Sequence, residues 1–474
     1  MSSRRNPNLR LRSLLDETGW TGQRLAQAVN HEGARRAMVV TYDRSSVAHW
    51  LAGTRPREHV CALVCQVLSQ ALGRTVGPEQ AGFAAETRSE ASSTAAPHER
   101  LRELAENTPS ARRALRLLPY SLDPELPEPA PPSGGDRAHS RIGTAHVRTA
   151  ELLVTLFADA DKAFGGARIR PALTAYLSVD IAAQLDCATA PSVGRRFHQA
   201  AADLAYLAGF VSFDENLQGA AQSYFRIAAQ LSAEANDRLR HAMALRQMSV
   251  QAVFLGNSGL ALQLAQHAAR ERGALPTESA AFVTGQEALA LACTGERRRA
   301  LACLGRSQRL LDQTPPDSRV LLGGYHQAAF AHQQAEVLAA TGDIPGACAA
   351  LAHSLRHRPS EEGRARMLTT ARLASLQLRQ GHLELACHTW DRFLDDYPNV
   401  TSARGDAALR ELRTGLRVHQ QEPAARRVLA RAGRLPLPRT ERPTVPRSGA
   451  APRRRGAVRI PLPSAAPEAG PSDA

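Results

Sequence analysis

The chain has 474 residues and a mass of 51.0 kDa, long enough for two or more folding units, and its hydrophobic content is 43% with only 4% aromatics. So much alanine and leucine with so few aromatic and β-branched residues favours packed helices and nearly excludes an all-β fold. Formal charge is +14, carried by 58 arginines and the single Lys162, and it sits at the ends: 11 Arg against 6 acidic residues over 1–83, 11 against 4 over 420–474, and 37 basic against 35 acidic between them.

A basic N-terminal unit suits a polyanionic partner, whereas the near-neutral middle argues against nucleic acid lying along the whole chain. The seven cysteines, at 61, 65, 187, 293, 303, 348 and 387, are odd in number and form no C-x-x-C pair, which fits a reducing, cytoplasmic location. Mean hydropathy is −0.30 and no apolar run is long enough for a membrane span, so no membrane association is expected.

Residues 1–83 read as a domain of four or five short helices. Leu9, Leu11, Leu14 and Leu15 mark the first; Thr21 caps a second over Gln23 to Val29; Asp43 caps a third from Arg44 to Leu51, stopped at Gly53. Val60, Leu63, Val64, Val67, Leu68 and Leu72 are the apolar face of a fourth after Pro56. The stretch YDRSSVAHWLAGTRPR resembles the recognition helix and following turn of the Xre-type, phage-repressor-like helix-turn-helix family, and QRLAQAV resembles its positioning helix. That resemblance implies double-stranded DNA as partner, with Arg44, Ser45 and His49 toward base edges and Val47 and Trp50 inward. Arginine can engage two guanine acceptors at once, and Ser or His can bond several bases. Gln23, Arg55 and Arg57, with Arg35 and Arg36, fall where phosphate contacts set register. The connection from Asn30 to Tyr42 departs from the family, whose turn is about 3–4 residues. An ordinary solvated helix start is the competing reading of Arg44, Ser45 and His49. His49, His59, Cys61 and Cys65 suggest zinc only superficially, since both cysteines fall on the apolar side of a helix; no metal is expected.

Residues 84–143 read as a linker with a short helix between His98 and Leu118 and a Pro-rich end, PYSLDPELPEPAPPSGG. From 144 to 434 the sequence becomes a series of Ala/Leu-rich helices in which a glycine is followed five residues later by alanine: Gly256/Ala261, Gly295/Ala300, Gly342/Ala347 and Gly381/Ala386. Counting from Gly209, successive glycines are 47, 39, 47 and 39 residues apart, and Pro359 and Pro398 stand where the following helices should stop. Glycine suits a left-handed C-cap, alanine permits close approach of the paired helix, and proline prevents continuation. TGDIPGACAALAHSLRHRP and QGHLELACHTWDRFLDDYP resemble second halves of tetratricopeptide repeats, although the family period is about 34 residues. The expected fold is therefore all-α, an N-terminal helix-turn-helix domain plus a tetratricopeptide-like helical-hairpin solenoid, with an irregular Ala-rich bundle as the alternative. Residues 435–474, rich in Arg and Pro, bury too little to order themselves.

No G-x-S-x-G, Walker A or H-E-x-x-H pattern occurs, and Lys162 stands at a helix end where a cation suits the dipole, so neither enzymatic activity nor a cofactor is expected. Taken whole, the chain resembles the actinobacterial helix-turn-helix regulators of development and secondary metabolism. The resemblance implies a sequence-specific transcriptional regulator whose repeats bind a protein, peptide or effector, or form a homodimer. The rival is a protein-interaction scaffold whose helix-turn-helix no longer binds DNA.

Overall fold

A computed structural model describes residues 7–35, 40–72, 76, 80–83, 96–105, 115, 118–122, 138–314 and 324–436. Over these the protein is all-helical apart from one short parallel pairing of β1 (Ala138–Arg141) with β2 (Cys187–Ala188). The tail beyond 436 and Arg36 lie outside the described residues.

The N-terminal unit consists of α1 (Leu9–Thr18), α2 (Gly22–Arg35), α3 (Arg44–Leu51) and α4 (Glu58–Leu72). Its core is its own: Leu11, Leu25, Val29, Val47, Trp50, Val64, Leu68 and Phe83 are buried together. The sequence suggested an end for the second helix at Val29, yet it continues to Arg35. Residues 30–35 of the long connection between α2 and α3 are thus helix, and Tyr42 at its far end is held by the Asn30 side chain, whose amide donates to Tyr42 O at 2.7 Å and whose oxygen accepts from Tyr42 N at 2.8 Å.

The expected linker is not a bare tether. Helix α5 (Pro97–Glu103) contributes Leu101 to the first core of the repeats, together with Leu104 and Leu115, and Arg100 reaches Gln230 at 2.9 Å. Residues 118–122 follow the same surface, where the Gln222 amide donates to Ser121 O at 2.8 Å and accepts from Ser121 N at 2.7 Å. Next come α6 (Thr144–Phe164), α7 (Arg170–Tyr176), a π turn at Leu177–Ile181 and α8 (Ala182–Leu185).

Among the described residues, the remaining helices pair into six antiparallel hairpins: α9 (Pro191–Asp214) with α10 (Gln218–Glu234), α11 (Arg238–Phe254) with α12 (Ser258–Arg270), α13 (Thr277–Cys293) with α14 (Arg297–Asp312), α15 (Gln327–Ala340) with α16 (Ile344–His357), α17 (Gly363–Arg379) with α18 (Leu383–Asp396), and α19 (Ala403–Arg417) with α20 (Pro423–Gly433). Four hairpins turn on Gly256, Gly295, Gly342 and Gly381, with φ of 79°, 85°, 90° and 81°, a region that a Cβ disfavours. Ala261, Ala300, Ala347 and Ala386 are each fully buried five residues on. Gly209 does not belong to this series. It lies inside α9, where a Cβ would come within 2.5 Å of the Phe225 ring, and the first turn is made instead by Asn216 at φ 61°, with Ala221 buried five residues later. Asparagine is the other residue that tolerates this conformation, which is why the glycine pattern missed it.

Candidate functional site

Two surfaces carry chemistry. On the N-terminal unit, Asp43 Oδ1 accepts from Ser46 N at 2.8 Å and so caps α3, while Thr21 Oγ1 accepts from Arg24 N at 3.3 Å at the start of α2. Val47 and Trp50 turn inward, Trp50 meeting Tyr42 edge-on at 5.1 Å, so helical periodicity leaves Arg44, Ser45 and His49 exposed. Gln23, Arg55 and Arg57 are exposed too; the Arg35 backbone ends α2, and its side chain and Arg36 lie outside the described residues. The Ser46 amide and the Ser45 and Ser46 hydroxyls hold the Asp43 carboxyl well below its usual range, at about 2. An ionised carboxylate thus stands beside Arg44, and Ser45 already donates its hydroxyl proton to it at 2.7 Å, leaving lone pairs to offer outward. Both features weaken an anion-binding face built on α3. Cys61 and Cys65 are buried, Cys61 lying 3.4 Å from Pro56 O, and burial pushes the Cys65 thiol up to about 12; among the described residues no group of three metal-ligating side chains forms.

The second is the row formed by the first helix of each hairpin. Polar side chains link each such helix to the next: Arg240 to Asp203 with both bonds 2.9 Å, Gln286 to Ser249 at 3.0 Å, Gln333 to Gln286 at 3.4 Å, His332 to Thr369 at 3.0 Å, Arg372 to Glu336 at 2.8 and 2.9 Å, and Ser375 to Glu411 at 2.7 Å. Their sequence separations of 37, 37, 47, 37, 36 and 36 residues mark the repeat directly, the long step falling where more residues separate α14 from α15. Burial pulls the His332 imidazole down to about 4, so it is neutral at ordinary pH.

The two ends of the array meet. Thr401 N donates to Phe164 O at 2.9 Å, Ser402 Oγ donates to Asp214 Oδ1 at 2.9 Å, and Arg364 Nη2 donates to Asp161 Oδ2 at 2.8 Å while its guanidinium covers the Phe210 ring at 4.5 Å. Burial, only partly offset by Arg364, raises Asp161 to about 6. Beside this contact Arg404 lies over the rings of Phe213 and Phe254 at 5.2 and 5.8 Å. Deeper in the array, Arg246 of α11 packs on the Phe282 ring at 3.4 Å, and Phe282 in turn stacks on Tyr325 at 4.4 Å.

Arg246, Arg364 and Arg404 went unnoticed in the sequence. The available signal was an arginine on the buried side of an Ala/Met-rich helix, as in RHAMALRQMSV, but 58 arginines conceal three of them.

Residues 11–84 match the family described as the SP15 N-terminal domain, and the repeats lie outside the match. No curated protein matches the chain. Among solved structures, the crystal structure of Rap protein complexed with competence and sporulation factor is similar over 61% of this chain and 84% of its own, at 12% identity and a TM-score of 0.41.

Proposed function

We propose that the chain works as a protein-interaction module whose helical repeats hold a protein or peptide partner on the inner side of the array. The observation that carries this reading is the row of first helices, linked to one another by polar side chains and leaving Phe254 exposed beside Arg404, on a scaffold whose stability comes from packing between neighbours. No catalytic step enters the proposal. A display library of peptides selected against the full-length chain tests it: enriched peptides should slow amide exchange along α11, α13 and α15. Enrichment with protection confined to the N-terminal unit, or no enrichment at all, would refute it.

A second reading is supported by the exposed Arg44, His49, Arg55 and Arg57 on a unit with a net charge of +5 over residues 1–83. In it the chain is a cytoplasmic, sequence-specific transcriptional regulator of development or secondary metabolism, similar to the actinobacterial Xre-type regulators. The N-terminal unit grips double-stranded DNA, and the array recruits the effector or couples two copies. Duplex binding should then fall by about 10³-fold between roughly 50 and 200 mM salt if some six phosphates are contacted. Arg44→Ala should relax base preference, while Arg57→Ala weakens all sequences alike. Absence of binding to genomic fragments at low salt leaves the scaffold reading alone.

A further inference from the structure

We propose that the outward face of α6 is a dimer interface, on which the helix pairs antiparallel with α6 of a second copy of this chain. The helix has two faces. Val147, Ala150, Ala158 and Asp161 are buried on one, where α6 packs on α9 and α17. At about 3.6 residues per turn, the opposite stripe carries Arg148, Leu152, Leu156 and Asp159, with Thr149 and Thr155 between them. Leu152 is 71% exposed and Leu156 61%, one turn apart, and no other two exposed large hydrophobics among the described residues stand so. A single exposed leucine needs no explanation, but two in register on a charged-edged stripe do. This face turns away from α9 and α17, both first helices of their hairpins, so it does not depend on a partner held along that row.

The polar groups around the leucines are already provided for. Thr149 Oγ1 donates to Ala145 O at 3.0 Å and Thr155 Oγ1 to Glu151 O at 3.3 Å, so both hydroxyls can be covered without leaving a donor unmet. Glu151 is drawn aside by Arg196, whose Nη2 donates to its two oxygens at 2.8 and 3.0 Å. The charges that remain are opposite and stand at opposite ends. Arg148 has no acidic partner among the described residues, and Asp159, 68% exposed, has Lys162 at 3.6 Å. A two-fold axis beside Val154 places Leu152 of each copy against Leu156 of the other. Arg148 then meets Asp159 at both ends of the contact, and beyond them Ala145 meets Ala163, each small enough to let the helices approach. Parallel pairing would instead bring Arg148 to Arg148 and Asp159 to Asp159. A nucleic acid or an anionic membrane asks for one sign of charge along the stripe, whereas this stripe carries both and complements itself. From Ala145 to Ala163 it is about 27 Å long, a small contact by the standard of stable complexes, so the dimer should assemble at micromolar concentrations.

Sedimentation velocity of the full-length chain over about 1 to 200 µM tests this and should show a monomer–dimer equilibrium. Leu152→Glu should weaken association about a hundredfold, because leucine burial is lost twice over and a charge enters each apolar contact; its melting temperature should stay at the wild-type value, since the side chain is exposed in the monomer. Arg148→Glu and Asp159→Arg should each weaken association about tenfold, as either sets like charges together at both ends. Mixed in equal amounts, these two variants should recover the wild-type affinity as a heterodimer, because one supplies acids at both ends and the other bases. That rescue decides the matter even if Leu152→Glu does not fold. A wild type that stays monomeric throughout, as when a segment of the same chain covers the stripe, would overturn the proposal. So would a dimer indifferent to Leu152→Glu, or charge variants that fail to rescue each other.

Discussion

Replacing Arg364 with methionine isolates the contact between the two ends of the array. Arg364 is 8% exposed; it donates to Asp161 Oδ2 at 2.8 Å and stands 4.0 Å from Asp214 Oδ1, with Asp161 and Asp214 exposed by only 3% and 0%. Asp161 Oδ1 and Asp214 Oδ2 have no hydrogen-bond partner, so removing the cation strands the buried Asp161 carboxylate and leaves Asp214 with the Ser402 hydroxyl. Breaking a buried pair from one side typically costs about 3–5 kcal/mol, more than the pair itself contributes, because the remaining charge keeps its desolvation penalty. If the loss is local, it should appear at Thr401, whose amide joins the end contact through its 2.9 Å bond to Phe164 O. Exchange of that amide should quicken by roughly two to three and a half orders of magnitude, at about 1.4 kcal/mol per factor of ten, while amides in α13 and α14 change far less. Adding Asp161→Asn should restore part of the loss and no more, since Asp214 remains. Unchanged Thr401 exchange and unchanged denaturation in Arg364→Met would refute the argument that this ion cluster holds the ends together.

Three further outcomes are expected. Trp50→Ala should cost the N-terminal unit about 3–5 kcal/mol and abolish its separate melting transition while that of the repeats persists, because Trp50 is 5% exposed in a core that the repeats do not share. Gly342→Ala, at φ 90°, should destabilise its hairpin by roughly 1–2 kcal/mol in urea denaturation, whereas Asn216→Gly, at φ 61°, should be neutral or stabilising. For His332, whose folded pKa is depressed from 6.5 to about 4 by burial, the unfolded chain binds the extra proton. Its contribution is therefore full above pH 6.5 and is lost as pH falls toward about 4, so the stability difference between wild type and His332→Gln should shrink over that window in denaturant titrations at stepped pH.

Local chemistry made much of this protein legible from its sequence. Ala/Leu periodicity specifies helices, glycine at a left-handed turn followed by a small residue specifies a tight hairpin, and Asp43 ahead of Arg44 specifies a capped helix; each depends on residues within a turn or two of one another. These signals weaken where another residue type satisfies the same requirement, as when Asn216 replaces a turn glycine and Gly209 serves packing against Phe225 instead. Proline richness likewise marked residues 84–143 as linker, but it is silent about Leu101, Leu104 and Leu115, which find apolar cover on the first hairpin. The meeting of Asp161 with Arg364 and of Phe164 with Thr401 joins positions more than 200 residues apart, and it depends on the small rotation between successive hairpins summed over the array. No local pattern encodes such a sum. Which arginines face an acid and which, like Arg246, are buried without one was decided by that accumulated geometry, because the desolvation of a guanidinium depends on everything folded around it.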